Sequence, residues 1–167
     1  MVPRLTPQIR PALRADLSAI REIYNQGIED RIATLDADPK TDVDIERWFA
    51  DHGGRYAVLV AQVDGSIVGW ASLNRYSRRA AYDAVADLSI YVIREWRGKG
   101  IGTALMSGVE AWARDNAFHK IVLFALHSNA LGLNLYRRSG FTDVGVFREH
   151  GKIGGRFVDV VAMEKVF

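Results

Sequence analysis

Hydrophobic positions along the chain alternate between helical and strand spacing, which predicts a mixture of helices and strands. Apolar residues recur every three or four positions after Asp16, an expected N-cap, and again in a second helix that Thr41 or Asp42 begins. Shorter runs of alternating or continuous apolar residues predict strands. The predicted strands cover residues 8–11, 56–62, 67–73, 86–93, 120–126, 141–147 and 157–164.

Two more helices complete the pattern, at residues 103–116 and at residues 130–138, where Gly140 ends the second. The early strands are expected to be antiparallel, and a strand–helix–strand unit lies in the middle of the chain. This order predicts an α+β fold with a mixed sheet and helices on both faces. No repeat or linker divides the 167 residues, so we expect one domain, residues 1–167.

Residues 85–102 carry the strongest chemical signal. A β-branched strand ends in a charged turn with Arg97 and Lys99, glycines follow at alternate positions, and a helix begins near Thr103. Glycines let a phosphate approach the backbone, while the first helical amides and about half a positive charge from the helix dipole attract it. The segment predicts a pyrophosphate site; an ordinary glycine-rich turn is the alternative.

The glycine spacing excludes two common phosphate loops. A Walker A loop needs four residues between its first glycine and Gly-Lys-Ser/Thr, which this segment lacks. A dinucleotide fingerprint needs Gly-x-Gly-x-x-Gly at the start of a strand–helix–strand unit, and here the third glycine comes one residue early. The segment instead contains Arg-x-x-Gly-x-Gly, formed by Arg97, Gly100 and Gly102.

Composition narrows the choice of partners. The net charge is +2, and no basic run is long enough for a nucleic-acid footprint. The chain has no cysteine, which excludes disulfides and a thiol nucleophile, and no histidines and carboxylates have metal-ligand spacing. The first ten residues lack a signal-peptide core, and no apolar run approaches the roughly 18 residues of a membrane span. We expect no metal, no nucleic acid, no membrane partner and a cytoplasmic location.

The Arg-x-x-Gly-x-Gly loop resembles the coenzyme A pyrophosphate loop of the GNAT N-acetyltransferase superfamily. The order of elements is similar over the whole chain, as is the ending Asn129-x6-Tyr136-x3-Gly140-Phe141. The resemblance implies a GNAT fold of about seven mostly antiparallel strands and about four helices, with strands 86–93 and 120–126 splayed to hold acetyl-coenzyme A (acetyl-CoA). The implied acetyl-CoA contacts are Ile90, Tyr91, Val92, Arg97, Gly98, Lys99, Gly100, Ile101, Gly102, Thr103 and Asn129.

A second block resembles one branch of that superfamily, the phosphinothricin/methionine sulfoximine N-acetyltransferases, which acetylate L-amino acids. The block reads Arg79-Ala-Ala-Tyr82-x4-Asp87-x-Ser89-Ile90-Tyr91-Val92. The resemblance implies transfer of an acetyl group to the α-amino group of a small amino acid or glutamate analogue, by direct attack in a ternary complex. The chain departs from the branch at Asp87, where the branch has the longer Glu.

This resemblance implies a role for each candidate catalytic residue. Asp87 is the expected base for the substrate's ammonium, directly or through a water that Ser89 helps to position; the alternative is an ion-pair partner only. Tyr136 is the expected donor to the departing thiolate, with a packing role as the alternative. A backbone amide near Ile90 would polarise the thioester carbonyl.

Arginines before the predicted catalytic strand suit an anionic substrate, because guanidinium groups bind carboxylate and phosphinate oxygens in pairs. We expect Arg79, and with it Arg75, to bind the substrate, and we assign Arg78 to a solvated loop. Lys152 is a further candidate. In related enzymes its hairpin lies near a dimer partner, so the resemblance implies a homodimer in which Lys152 serves the neighbouring site.

Two other functions remain open on the sequence. A protein or peptide N-acetyltransferase would use the same acetyl-CoA site with an open groove for its substrate. A non-catalytic sensor would bind an acyl-coenzyme A without turnover. The arginines before Asp87 favour a small anionic substrate over the first, and the combination of Asp87, Ser89 and Tyr136 favours an enzyme over the second.

Overall fold

One seven-stranded sheet organises the computed structural model, which describes residues 6–167. The first five residues, part of the stretch considered for a signal peptide, lie outside the described residues. The sheet order is β1-β2-β3-β4-β5-β7-β6. The strands are β1 (Gln8–Pro11), β2 (Val58–Val63), β3 (Ser66–Arg75), β4 (Val85–Val92), β5 (Lys120–Leu126), β6 (Thr142–Ile153) and β7 (Arg156–Val166).

Four α-helices cover the two faces of the sheet within residues 6–167. They are α1 (Leu17–Asp30), α2 (Asp42–Ala50), α3 (Ile101–Asp115) and α4 (Ala130–Arg138). One core cluster joins α1 and α2 to the sheet through residues such as Ile20, Ile23 and Trp70. A larger cluster joins α3 and α4 to the opposite face, with Leu105 and Leu133 among its members. The predicted α+β fold with helices on both faces is confirmed.

Strands β4 and β5 form the parallel pair of this sheet, and they are joined at one end only. Their register runs from Val85 opposite Lys120 to Asp87 opposite Val122 and then stops. The rest of β4 stays paired with β3, and the rest of β5 stays paired with β7. A gap therefore opens between β4 and β5 just after Asp87, as the predicted splay requires.

Several element boundaries differ from the sequence prediction, most of them by one or two residues, and two of the differences have a clear cause. Helix α3 begins at Ile101 instead of Thr103, because Gly102 fits the first helical turn although glycine suggested a loop. Strands β6 and β7 extend to a two-residue turn at Gly154 and Gly155, so residues 148–153 belong to a strand. A register shift between Phe147 and Gly151 interrupts the alternation that sequence analysis depends on.

Asp16 precedes α1 as predicted, but its side chain does not cap the helix. The carboxylate accepts a hydrogen bond from the Leu13 N–H at 2.7 Å and pairs with the Arg10 guanidinium at 2.7 and 3.0 Å. Asp16 therefore occupies the predicted N-cap position, but its carboxylate bonds to Leu13 and Arg10 and not to the amides of the helix. Asp16 is buried, and the Arg10 guanidinium lowers the pKa of its carboxyl. The pair fastens β1 to the start of α1.

Asp16→Asn should destabilise the fold at neutral pH by about 2 kcal/mol, because it removes a mostly buried, hydrogen-bonded charge opposite Arg10. Since the pKa of Asp16 is lowered in the folded state, its contribution is present above its ordinary pKa of 3.8 and is lost as the pH falls below it. Urea unfolding at pH 7 and pH 3 measures both effects. The exposed Asp115→Asn is the control; equal losses in the two variants would contradict the assignment.

Candidate active site

A cavity of about 260 Å³ lies beside β4, where this strand separates from β5. The cavity is lined by the end of β4, the glycine loop, the start of α3, the start of α4 and residues that follow α1. Ten of the predicted site residues line it together: Ile90, Tyr91, Val92, Arg97, Gly98, Gly100, Gly102, Thr103, Asn129 and Tyr136.

The glycine loop has the backbone that an anion site needs. Gly98 and Gly100 have φ values of 72° and 89°, which side-chain-bearing residues rarely adopt. Gly100 is the N-cap of α3, and no side chain accepts from the first amides of the helix. These amides and the positive end of the helix dipole suit a pyrophosphate. A Cβ on Gly102 would lie 2.8 Å from Leu135, so α4 packs directly on this turn.

The charged residues of the loop have partners within the protein. Arg97 donates from Nε to the Val92 carbonyl at 3.0 Å and forms an ion pair with Asp30, which also pairs with Arg94 at 2.7 Å. The Arg97 side chain thus fastens the loop to the end of α1. The Lys99 ammonium lies 5.4 Å from the centre of the Trp96 ring and does not line the cavity.

Two other predicted contacts have structural duties as well. The Ile101 side chain is only 1% exposed and belongs to the core, so its backbone is the part available at the turn. The Asn129 side chain accepts from the Gly132 N–H at 3.0 Å, which caps α4 at the cavity wall. Both residues therefore help to fix the elements that form the cavity wall.

The backbone of β4 offers free groups to the gap. The Ile93 N–H donates to the Val68 carbonyl of β3, and the groups of successive residues point alternately to opposite edges. The Ile90 and Val92 groups therefore face the gap, which agrees with the bond from Arg97 to the Val92 carbonyl. The Ile90 N–H lies where a thioester carbonyl could be polarised.

Tyr136 projects from α4 into the same cavity. Its side chain is 8% exposed, and none of residues 6–167 forms a hydrogen bond with its hydroxyl. Burial, with the nearby Tyr91 and Asp87, raises the pKa of the hydroxyl. Tyr136 therefore keeps its proton at neutral pH and has it free to donate.

Asp87 lies at the point where the β4–β5 pairing ends. Asn74 is opposite it on β3, and the Asn74 amide donates to the carboxylate at 3.4 Å and to Ser89 Oγ at 3.1 Å. Burial raises the pKa of Asp87 from 3.8 to about 6, although the hydrogen bonds from Asn74 and the Leu88 N–H oppose this rise. Above pH 6 the group is an ionised carboxylate with the basicity that proton abstraction needs.

A second cavity, of about 560 Å³, shares Tyr91 with the first. Ser89 lines it, as do three aromatic rings in contact: the Tyr91 ring centre lies 4.8 Å from that of Trp70, and the Trp70 ring centre lies 5.1 Å from that of Trp48. Charged side chains of the segment after α1 and of α2 line the rest. The glycine loop thus lines the first cavity, aromatic and charged side chains line the second, and Tyr91 lines both.

Comparison with known proteins decides the family. The model of the acetyltransferase (GNAT) family matches residues 17–141. The chain belongs to this family. It is 30% identical to an L-methionine sulfoximine/L-methionine sulfone acetyltransferase from Pseudomonas aeruginosa, with 96% of this chain and 94% of that protein covered.

Two solved structures have the same fold as this GNAT protein. A GNAT superfamily phosphinothricin acetyltransferase from Sinorhizobium meliloti, in complex with acetyl-CoA, superposes with a TM-score of 0.92 at 29% identity, covering 97% of this chain and 89% of that chain. A ribosomal-protein-alanine N-acetyltransferase from Brucella melitensis superposes with a TM-score of 0.91 at 30% identity, covering 96% and 99%. The GNAT fold and an acetyl-CoA-dependent acyltransferase are therefore confirmed.

None of the four predicted substrate contacts of this acetyltransferase, Arg75, Arg79, Asp87 and Lys152, lines either cavity. Strand alternation puts Arg75 on the opposite face from Asn74, and its guanidinium lies 5.1 Å from the Tyr56 ring centre. The structure thus does not bring Arg75 to Asp87. Arg79 is exposed in the β3–β4 connection, and the Lys152 ammonium lies 5.3 Å from the Phe157 ring near the β6–β7 turn.

Sequence analysis also missed residues that the structure brings to the site. Asn74 contacts Asp87, and Trp48 and Trp70 line the second cavity. The position of Asn74, thirteen residues before Asp87 across a predicted connection, could have shown the cross-strand pair once the register was known. No cluster of metal-ligating side chains occurs in residues 6–167, and no helix there is long and apolar enough to cross a membrane.

Asp87→Asn should stabilise the acetyltransferase at pH 7.5 by up to about 3 kcal/mol while removing most activity. The folded state raises the pKa of Asp87 to about 6, so keeping the group ionised destabilises the fold as the pH rises from about 4 to 6. Urea unfolding at pH 7.5 and pH 4 should show a gain at the higher pH only.

The exposed Asp83→Asn is the matched control and should change neither stability nor turnover. If Asp87→Asn destabilised the fold equally at both pH values, the buried charge would not be the cause.

Proposed function

We propose that this chain transfers the acetyl group of acetyl-CoA to the α-amino group of a small amino acid or glutamate analogue of the phosphinothricin or methionine sulfoximine type. One observation carries the proposal: Tyr136 lines the first cavity, Ser89 lines the second, and the two cavities meet at Tyr91. The Asn74 amide joins Asp87 to Ser89 beside them. The named activities of the similar proteins support the same substrate class.

In this proposal, the glycine loop and the start of α3 bind the pyrophosphate, and the free edge of β4 binds the pantetheine arm. Acetyl-CoA supplies the acetyl group when bound. The residues present fit it, since uncapped helical amides and an unpaired strand edge offer the donors and acceptors that it needs. The Ile90 amide polarises the thioester carbonyl, a contribution of about 3 kcal/mol if it matches other oxyanion donors.

The acceptor amine enters from the second cavity. Its ammonium must lose a proton before attack, and Asp87, directly or through a water held by Ser89, takes that proton. The attack forms the new amide directly in the complex of both substrates. Tyr136, which stays protonated, donates a hydrogen bond or its proton to the departing thiolate.

A carboxylate on the acceptor has a candidate partner in the second cavity. The cations that line it, among the described residues, are Lys40 and Arg47. The Lys40 ammonium pairs with Asp36 at 3.2 Å, whereas no carboxylate pairs with the Arg47 guanidinium within the described part of the chain. We therefore add Arg47 to Arg79 as proposed substrate contacts and leave Arg75 out.

The remaining expectations stay proposals. The β5–β7 region exposes several large apolar side chains: Phe124, Val144, Val146, Phe147 and Phe157. A second copy of the chain would cover such a surface, so we propose a homodimer in which Lys152 serves the neighbouring site. We also propose a cytoplasmic location.

A panel assay tests the proposed function. Thiol release from acetyl-CoA is measured with phosphinothricin, methionine sulfoximine, the twenty amino acids, a polyamine and an alanine-starting peptide. We expect rapid turnover with a glutamate-like analogue and none with the peptide. Turnover of the peptide alone would favour the second candidate, a protein N-acetyltransferase like the similar Brucella structure. Acetyl-CoA binding without any turnover would favour a sensor.

Substitution of the proposed carboxylate contacts should separate the two substrates. Arg47→Ala and Arg79→Ala are each expected to raise the KM for the amino acid about tenfold, because a charge-assisted hydrogen bond is lost. The KM for acetyl-CoA should change less than twofold. Arg78→Ala is the matched control, because Arg78 is exposed in the same β3–β4 connection as Arg79. Equal rises in both KM values would remove the residue concerned from the acceptor site.

A further inference from the structure

The Asn74 amide, which holds Asp87, is itself held on both sides. Its nitrogen donates to Ser89 Oγ at 3.1 Å and to Asp87 at 3.4 Å. Its oxygen accepts from Ser72 Oγ at 2.9 Å and lies 2.9 Å from Nε2 of His52. An amide has two donor hydrogens and two acceptor lone pairs, so this one is fully used. A continuous chain of hydrogen bonds therefore leads from Asp87 to His52.

Both ring nitrogens of His52 face oxygen acceptors. Nδ1 lies 2.7 Å from the Trp48 carbonyl at the end of α2, and Nε2 faces the Asn74 amide oxygen. Because a carbonyl oxygen only accepts, a ring nitrogen that bonds to one must donate, and both bonds form together only when Nδ1 and Nε2 each carry a hydrogen. His52 is partly exposed, so its protons can exchange with solvent.

The orientation of the Asn74 amide depends on the protonation of Asp87. An ionised carboxylate only accepts, so it turns the NH2 group toward itself and the amide oxygen toward His52. A protonated Asp87 donates instead, and the reversed amide would then suit it. In that orientation the amide nitrogen faces Nε2, which can accept only after losing its proton. One amide orientation thus suits an ionised Asp87 with a hydrogen on Nε2 of His52, and the reversed orientation suits a protonated Asp87 with no hydrogen on Nε2.

We propose that His52 is a positioning residue for Asp87 and acts on it through the Asn74 amide. When Asp87 takes a proton from the substrate, the amide reverses and His52 releases a proton to solvent. An N–H bond of the ammonium breaks and an O–H bond forms on Asp87, while the Nε2–H bond of His52 breaks and water takes its proton. The proposal rests on the proposed function of Asp87 as the base.

Few other charges act on this chain of hydrogen bonds. Tyr136 approaches Asp87 from α4 and remains neutral because its pKa is raised. Around His52 the close neighbour is the Trp48 ring, 4.7 Å away between centres, and Asp51 precedes His52 at the edge of the second cavity. No ion pair to His52 occurs among residues 6–167. Asn74 is thus the direct polar link between Asp87 and His52.

An NMR titration of the His52 ring tests the link without any turnover. In the full chain, Asp87→Asn should lower the pH at which His52 loses its second proton by roughly half a unit, because the carboxylate no longer fixes the amide. In the Asn74→Leu background, the same Asp87→Asn substitution should move it by less than about 0.2 unit. If Asn74→Leu does not fold, Asn74→Ala takes its place. An unchanged His52 titration in Asp87→Asn would overturn the proposal.

The pH profile of kcat/KM gives a second readout, measured with the acceptor that the panel identifies. Without the His52 proton, Asn74 no longer holds its donor toward the carboxylate, so His52→Ala should move the acid limb up by roughly half a pH unit. His52→Gln keeps an N–H for the amide oxygen and should restore the limb to its wild-type position. The exposed His119→Ala is the control. If His52→Ala lowered the plateau of kcat/KM but left the acid limb at its wild-type pH, His52 would have a merely structural role.

The two sets of results separate the two proposals. If Asp87→Asn shifts the His52 titration but leaves acetylation intact, the link stands and the base assignment fails. If Asp87→Asn abolishes acetylation without shifting the titration, the base assignment stands and the role of His52 is overturned.

Discussion

The active site depends on one constraint, the failure of β4 and β5 to stay paired after Asp87. Three residue pairs join the strands, and beyond them each strand keeps only its outer neighbour. An unpaired strand edge inside a sheet would normally leave polar backbone groups without partners. In this fold the gap leaves the free edge of β4 beside the cavity. The helix dipole of α3, the cap of α4 and the aromatic wall of Tyr91 all converge on the opening.

Most of the fold could be predicted from the sequence because its signals are local. Three elements, β1, β5 and α4, have the predicted bounds, and the glycine loop was identified from residue types alone. The full length of β6 was missed since nearly all of its residues are exposed, which removes the alternation of buried apolar and exposed polar residues. Helix α3 began earlier than expected because glycine is acceptable in a first turn that packs against Leu135.

The acceptor side could not be predicted in the same way. The predicted acetyl-CoA contacts cluster in two short segments, whereas the second cavity combines residues from α1, α2, β3 and β4. Successive side chains of a strand point to opposite faces of the sheet, and this alternation decides whether an arginine near Asp87 in sequence also lies near it in space. Arg75 follows Asn74, so it lies on the other face. The partner that does reach Asp87, Asn74, is a neutral residue in a segment that sequence analysis assigned to a connection. The pairing register of β3 and β4 decides where both Arg75 and Asn74 lie relative to Asp87, and only the assembled sheet defines that register.

The contact between Asp30 and Arg97 has a consequence for how the two substrates affect each other. Asp30 is the last residue of α1, and the segment that follows it lines both cavities before α2 begins. Asp30, which pairs with Arg97 and Arg94, therefore joins the glycine loop to the segment that lines both cavities. Under the proposed function, an acceptor that shifts this segment also changes the energy of the loop. By thermodynamic reciprocity, acetyl-CoA must then alter the affinity for the acceptor by the same factor.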